Sequence, residues 1–461
     1  MLPDDVLLSI FDFCANENVE FWSRQVWQTL VQVCQRWRSL VFGSPRGLNL
    51  QLICTDRTHV RNMLDLWPPL LLVIQSIMYY DNYPERVDNI VALLEHRNRV
   101  SQINIKYISS SSLEKILAAM QQPFPELTYL QLESRAYGET TAVLPNSFLG
   151  GSAPHLREIC FRDIQFPDLP KLLLSATHLT DLLLSDISHS GYFSPEGIAT
   201  ALSTLTSLRH LFIGFQFHLL LPDQANRRPP PPKPFVLPAL TEFEFKGVIE
   251  YLEDLVVRID APLLKKLFIV FFNQILFDTP QLLRFITHTS LLKAPEKAHV
   301  LACFSTATIK LSSRLGAPDY SVKILCEDAN RLVSAMEWVC TSCLPPLSTL
   351  EGLYIYECPG SGLHWPDNTE NSMWLELLQS FTAVKNLYLS KKVQSLIMPF
   401  LQEPGGGRTA EVLPTLQNIF LEGLKRSGPV RKAIQQSVST RQASRPIAVS
   451  RWDGRGKIYY I

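Results

Sequence analysis

Net charge is missing from this sequence. Its 43 Lys and Arg residues balance 43 Asp and Glu, so no overall field draws the chain to nucleic acid. Long apolar runs are missing too. The two longest, "LWPPLLLVIQSIMYY" (66–80) and "LFIVFFNQILF" (267–277), are too short to span a bilayer and are broken by Pro or polar residues. Both are expected as strand or core, not as membrane spans. The opening residues lack a basic region and carry Asp4 and Asp5 instead, so no export signal is expected. The nine cysteines are odd in number and scattered. They form no disulfide framework, and reduced thiols in the cytosol or nucleus are expected.

Catalytic signatures are absent as well. There is no Gly-x-Ser-x-Gly, P-loop, Gly-x-Gly-x-x-Gly or His-x-x-x-His pair. The turn "PGGGR" (404–408) lacks the Lys-Ser/Thr that a phosphate cradle needs. Cys340 and Cys343, flanked by Cys326 and Cys358, have outer spacings of about fourteen residues, unlike a zinc knuckle. Neither an enzyme nor a cofactor or metal is expected.

What is present is leucine in a recurring frame. A turn-like Pro or Thr precedes Leu-x-x-Leu and an alternating apolar strand in "PELTYLQLES" (125–134), "PHLREICFRD" (154–163), "THLTDLLLSD" (177–186) and "TSLRHLFIGF" (206–215). It returns in "PALTEFEFKG" (238–247), "PLLKKLFIVF" (262–271), "STLEGLYIYE" (348–357), "TAVKNLYLSK" (382–391) and "PTLQNIFLEG" (414–423), with a degenerate early copy at "NRVSQINIKY" (98–107). The anchors Leu127, Leu156, Leu179, Leu208, Leu240 and Leu264, then Leu350, Val384 and Leu416, recur every 23 to 34 residues, close to a leucine-rich-repeat period. Such a strand cannot bury its apolar face alone; stacked strand–helix units can. Helices are expected at 112–122, 196–205, 253–259 and 373–381. Between Leu264 and Leu350 the period breaks. Strands are expected at 306–313 and 320–328 and a helix at 328–340, as a loose repeat or as a strand-pair insertion.

The first 47 residues read as helical throughout. In "LPDDVLLSIFDF" (2–13), Pro3 suits a first helical position and Asp4 and Asp5 face the positive end of the helix dipole. Leu7, Ile10, Phe11 and Cys14 make one face; in "WQTLVQVCQRWRSLVF" (27–42), Leu30, Cys34, Trp37 and Val41 make another, broadened by Val33 and Leu40 and stopped by Gly43 and Pro45. A helical cap on the first repeat would need a single apolar stripe. Leu2, Leu7, Leu8, Ile10 and Phe11 wrap more than one side, in a segment too small to build a core. A partner protein packing on these helices is therefore expected. The Pro-rich loop at 226–234 carries Arg228-x-x-Pro231-x-x-Pro234, the spacing SH3-type grooves read, and is expected as a passive insertion. Residues 425–457 hold nine Lys or Arg and one acid, Asp453, and are expected as a basic cap or tail whose Trp452, Tyr459 and Tyr460 dock on the last repeat.

Leu2-Pro3, Asp4-Asp5, Leu7-Leu8 and Ile10-Phe11, followed by Val33-Cys34-Gln35-Arg36-Trp37-Arg38, resemble an F-box. The linker "CANENVEFWSRQ" (14–25) is longer than in many members. Further along, "WPPLLLVI" (67–74), "CLPPLSTLEGLYIYE" (343–357), "MWLELLQSFTAVKNLYLS" (373–390), "VLPTLQNIFLEGL" (412–424) and "PIAVSRWD" (446–453) resemble F-box proteins of mushroom-forming fungi. The resemblance implies an α/β chain with a short all-helical F-box at 1–47, an irregular leucine-rich-repeat-like strand–helix solenoid at 48–424 and a cap or tail at 425–461. It implies a non-enzymatic substrate receptor of an SCF-type cullin–RING ubiquitin ligase, cytoplasmic or nuclear. The F-box would dock on the S-phase kinase-associated adaptor and, through it, on cullin and RING subunits; the repeats would hold an unidentified target protein. The residues expected at the docking face are Leu2, Pro3, Leu7, Leu8, Ile10, Phe11, Val33, Cys34, Trp37 and Arg38, with Leu30 and Trp37 also candidates for the internal core. The alternative is a scaffold whose F-box serves assembly outside ubiquitination. A weaker third idea is an RNA scaffold using the basic tail.

Overall fold

In the computed structural model of the chain, the leucine that opens each repeat closes a turn. Its N–H donates to the carbonyl three residues earlier, as in Leu127 to Phe124, Leu156 to Ala153 and Leu179 to Ala176, at 3.0–3.2 Å. All nine anchors, including Val384, are at most 5% exposed. The next residue but one starts the strand, so each buried anchor sets the phase in which the following apolar positions face inward.

The structure describes residues 2–16, 26–45, 48, 50–58, 64, 69–78, 84–135, 141–166, 169–216, 233–272, 279–289, 295–303, 306–312, 318–325, 347–357, 374, 377–394, 397–398, 412–423 and 447–454. They fall in two units, Met1–His210 and Leu211–Ile461. The Pro-rich segment 226–232, the stretch 326–346 with three of the four clustered cysteines, Cys358, and most of the basic tail lie outside them. Among the described residues no helix is long and apolar enough to cross a membrane.

The first unit opens with three helices, α1 (Asp4–Asn16), α2 (Val26–Val33) and α3 (Gln35–Gly43). Six strands follow, β1 (Gln51–Thr55), β2 (Leu71–Ile77), β3 (Val100–Ile108), β4 (Tyr129–Ser134), β5 (Glu158–Arg162) and β6 (Asp181–Ile187). They lie side by side in chain order, and every adjacent pair is parallel. Connections between them carry α4 (Pro84–Leu94), α5 (Ser110–Ala119) and α6 (Leu169–Ser175); α7 (Pro195–Leu202) follows β6. One sheet face is almost wholly apolar: Ile103, Ile105, Leu130, Leu132, Ile159, Phe161, Leu182 and Leu184 are all 0% exposed, and Ser76, opposite Ile105, is a buried polar exception. Parallel neighbours need a crossover of a dozen or more residues, usually helical; the β4–β5 crossover makes do with one short 3-10 turn at Phe148–Gly151.

The second unit holds nearly all of β7 (His210–Phe215), then β8 (Phe235–Val236), β9 (Glu242–Gly247), α8 (Ile249–Val256), β10 (Ile259–Asp260), β11 (Lys266–Phe272) and α9 (Pro280–His288). The broken period follows as β12 (Lys297–Cys303), β13 (Thr306–Ser312) and β14 (Pro318–Leu325), before β15 (Gly352–Glu357), β16 (Asn386–Leu389), β17 (Asn418–Glu422) and β18 (Ala448–Trp452). Sheet order is β7-β9-β11-β14-β13-β12-β15-β16-β17-β18, with β8 and β10 paired apart. The break is therefore an antiparallel insertion. β13 pairs antiparallel with both β12 and β14, while β14 joins β11 and β12 joins β15 in parallel. The chain steps away from β11, meanders back to it, and resumes beyond β12.

In-register pairing builds an aromatic ladder. His299, Tyr354, Tyr388 and Phe420 lie opposite one another on successive strands and stack at 4.4, 4.0 and 4.4 Å, within 11° of parallel. Trp452 of β18 packs edge-on to Tyr354 and Tyr388, and the segment expected as a cap or tail supplies one more parallel strand beside β17. Burial, then Lys297 and Lys310, push the His299 imidazole down to about 4 from 6.5. The fold thus holds His299 neutral, while the unfolded chain takes up a proton below pH 6.5. Stability from this group is complete above pH 6.5 and falls as pH drops towards 4. Urea midpoints read by tyrosine fluorescence should decline over that window in the wild type and decline less in His299→Phe, which keeps the stack without the titration.

Candidate functional site

The three opening helices pack on a small internal core. Leu7, Phe11, Trp27, Val31 and Val41 are each at most 4% exposed. The Phe11 ring meets Trp37 edge-on at 4.8 Å, and Trp27 meets Phe42 at 6.2 Å. Trp27 Nε1 donates to the Gln51 carbonyl at 3.0 Å, tying α2 to β1. Arg36 donates to the Leu2 carbonyl at 2.6 Å and to Asp4 at 2.5 Å, bringing the start of α3 to the start of α1.

The single helix expected over 27–42 is two helices. Cys34 is extended, with φ −160° and ψ 168°, and its Sγ accepts the Trp37 N–H as the cap of α3. Arg38 Nε donates to the Val31 carbonyl at 3.0 Å, meeting one of the acceptors that the end of α2 leaves open. The break shifts the helical phase. The buried pair on α2 is Trp27 and Val31, and the stripe through Leu30 and Cys34 does not form.

The expected docking residues separate accordingly. Leu7 and Phe11 are buried, Leu8 and Trp37 are half-buried, and Leu2, Pro3, Ile10, Val33, Cys34 and Arg38 are exposed. Leu7 and Phe11, as placed, have no side-chain surface to offer a partner. Two residues outside the expected set complete the outer face. Val6, Ile10 and Phe13 are 39, 43 and 65% exposed and follow i, i+4, i+7, one stripe of α1, and Leu2, just before the helix, is 53% exposed. Val33, at the end of α2, is 57% exposed. Among the described residues ten large apolar side chains are exposed, and five of them are these. Clustering of that kind marks an interaction surface; scattered exposed leucines do not.

A search of family models returns no match for the chain, and no curated protein matches it. Among solved structures, the chain is similar to the leucine-rich repeat-containing protein LegL7 of Legionella pneumophila. The two are 13% identical over 78% of this chain and 94% of the other, with a TM-score of 0.26. It is also similar to a leucine-rich-repeat protein of Leptospira interrogans, 11% identical over 80% of this chain and 88% of the other, with a TM-score of 0.27. The repeat architecture rests on the chain's own strand order and register.

A second candidate lies on the polar face of the first unit's sheet. A cavity of about 620 Å³ opens across β1–β4. Gln75, Asn104 and Gln131 form a row across its floor, in register on β2, β3 and β4. Gln131 is fixed at both ends: its Oε1 accepts the Tyr129 hydroxyl, and its Nε2 donates to Glu133 Oε1 at 2.6 Å. Burial first, then the nearby Cys160, Glu158 and Glu133, push the Tyr129 phenol up to about 12, so it stays a neutral donor. At the rim, Asp56 is held by Arg86 at 3.5 Å and by Asn89, whose side chain donates to its carbonyl at 2.9 Å. A β-bulge between Ile105 and Ile108 breaks the β3–β4 register beside Lys106, and Tyr107 takes φ +57°. Such bulges re-aim side chains at sites. Sequence reasoning named none of these residues. The signal that finds them is the amide between apolar strand residues in "INI" and "LQL", with "IQS" matching on one side only, visible once the repeats are aligned.

Proposed function

We propose that the chain is the substrate-recognition subunit of an SCF-type cullin–RING ubiquitin ligase, docking through α1–α3 on the S-phase kinase-associated adaptor and holding a target protein on its repeats. The observation that carries this reading is the exposed stripe of Val6, Ile10 and Phe13, with Leu2 just ahead of it, on a helix whose opposite side is already packed. The F-box-like spacing of the same segment and the lack of catalytic signatures agree with it. The docking face comprises Leu2, Val6, Ile10, Phe13 and Val33, with Leu7, Phe11 and Trp37 acting behind it as the core that holds α1 in place.

Co-expression of the full chain with the adaptor tests the reading. A stable one-to-one complex that then recruits cullin and RING subunits is expected. Failure of the wild-type chain to capture the adaptor overturns it. Adaptor capture with no cullin or RING subunit in the assembly favours the scaffold outside ubiquitination.

A further inference from the structure

We infer that the polar cleft across β1–β4 binds an extended, carboxylate-bearing peptide segment, and so forms the part of the repeat surface that reads a target. The cleft rests on the first unit's sheet alone; calling its ligand a target rests on the receptor reading.

Size comes first. A cavity of about 620 Å³ lies within the range of about 300–1,000 Å³ that ligand sites occupy. It holds only a short piece of chain. Its floor matches peptide groups. Primary amides offer two donors and an acceptor, the complement of a peptide N–H and C=O. Three of them stand in a row on neighbouring strands, about 4.8 Å apart by sheet geometry. Gln131 is oriented by three intramolecular bonds, which use its N–H groups on Glu133 and Cys160 and leave it the second lone pair of Oε1 for a ligand N–H. Gln75 is the opposite case: its Nε2 is buried and has no acceptor among the described residues. A buried donor left unmet is costly, and a ligand carbonyl entering the cleft meets it.

Charge selects the ligand further. Asp56 is engaged by Arg86. That leaves Arg57 and Lys106 as lining cations with no ion pair among the described residues. Both stand beside the amide row, Arg57 after β1 and Lys106 at the bulge of β3. A carboxylate side chain on the peptide is the group they complement. A nucleobase or sugar would need flat aromatic faces to stack on, and Tyr129 is the one aromatic side chain in the described lining.

The test uses the full chain. A phage-displayed random heptapeptide library is panned on immobilised wild-type protein, and enriched peptides are titrated by fluorescence anisotropy. Enriched peptides should carry Asp or Glu, and replacing that acid by its amide should weaken binding at least tenfold. Arg57→Glu with Lys106→Glu should weaken it about a hundredfold. Gln75→Leu should weaken it several-fold with circular dichroism unchanged. If the double charge reversal fails to fold, Lys106→Gln alone should still weaken binding about tenfold. The inference is overturned by no enrichment, by enriched peptides without acids, or by a folded charge variant that binds within twofold of wild type. Adaptor capture is measured on the same preparations. Protein that takes the adaptor but enriches no peptide refutes the cleft and spares the docking reading; the converse refutes docking alone.

Discussion

Ile10→Asp combined with Phe13→Asp should abolish adaptor capture while leaving the melting temperature of the chain essentially unchanged. Both side chains reach solvent, 43 and 65% exposed, so a carboxylate there loses little internal packing. At a docked interface the same carboxylates would be buried without a partner. Each truncated hot spot commonly costs more than about 2 kcal/mol, and two together correspond to roughly a thousandfold loss of affinity. Pull-down with tagged adaptor and a parallel thermal melt give the two readouts. Capture that survives the double substitution places the interface elsewhere.

Phe11→Ala should have the opposite signature. Phe11 is 1% exposed and packs edge-on against Trp37 at 4.8 Å. Removing a buried phenyl ring costs about 3–5 kcal/mol, comparable to what a three-helix segment of this size can supply by itself. The helices should therefore loosen while the sheet stays folded. Helical circular dichroism falls, protease nicks the 1–45 region, and the main thermal transition persists. Adaptor capture should weaken but return at high adaptor concentration, because a partner that binds only the folded segment stabilises it by mass action. The surface variant has no such rescue. An unchanged protease pattern in Phe11→Ala would show that Phe11 does not hold the helices together.

The pairing of these two outcomes follows from how α1 is built. Its sequence is apolar on more than one side, and periodicity alone identifies the excess without saying which side is covered. The residues expected to dock included Leu7 and Phe11, which the helices bury, and omitted Val6 and Phe13, which they expose. Only the position of α2 and α3 makes that choice. Cys34 is the clearest local instance. Its spacing fits a continuous helical stripe, yet its extended backbone and its cap on Trp37 divide the run and turn Val33 outward.

The polar cleft was illegible for a related reason. Gln75, Asn104 and Gln131 are separated by 27 to 29 residues and look like ordinary outward-facing positions. Register places them in one row, and register is a property of pairs of strands. The broken period between Leu264 and Leu350 left two readings open for the same cause. Strand pairing settled it as an antiparallel insertion in which β13 alternates direction between two parallel stretches.

The sequence by itself determined the repeat frame. Every anchor from Leu127 to Leu416 closes or borders a turn, is buried, and precedes a strand, because one apolar side chain in a fixed position relative to alternating residues dictates both the turn and the inward phase. It also determined that the opening helices carry more apolar surface than they can bury. The tertiary structure alone decided which of that surface remains outside, and which polar side chains share a cleft. The frame is set by interactions within a dozen residues; coverage and register depend on segments far apart in the chain, whose contacts no local pattern encodes.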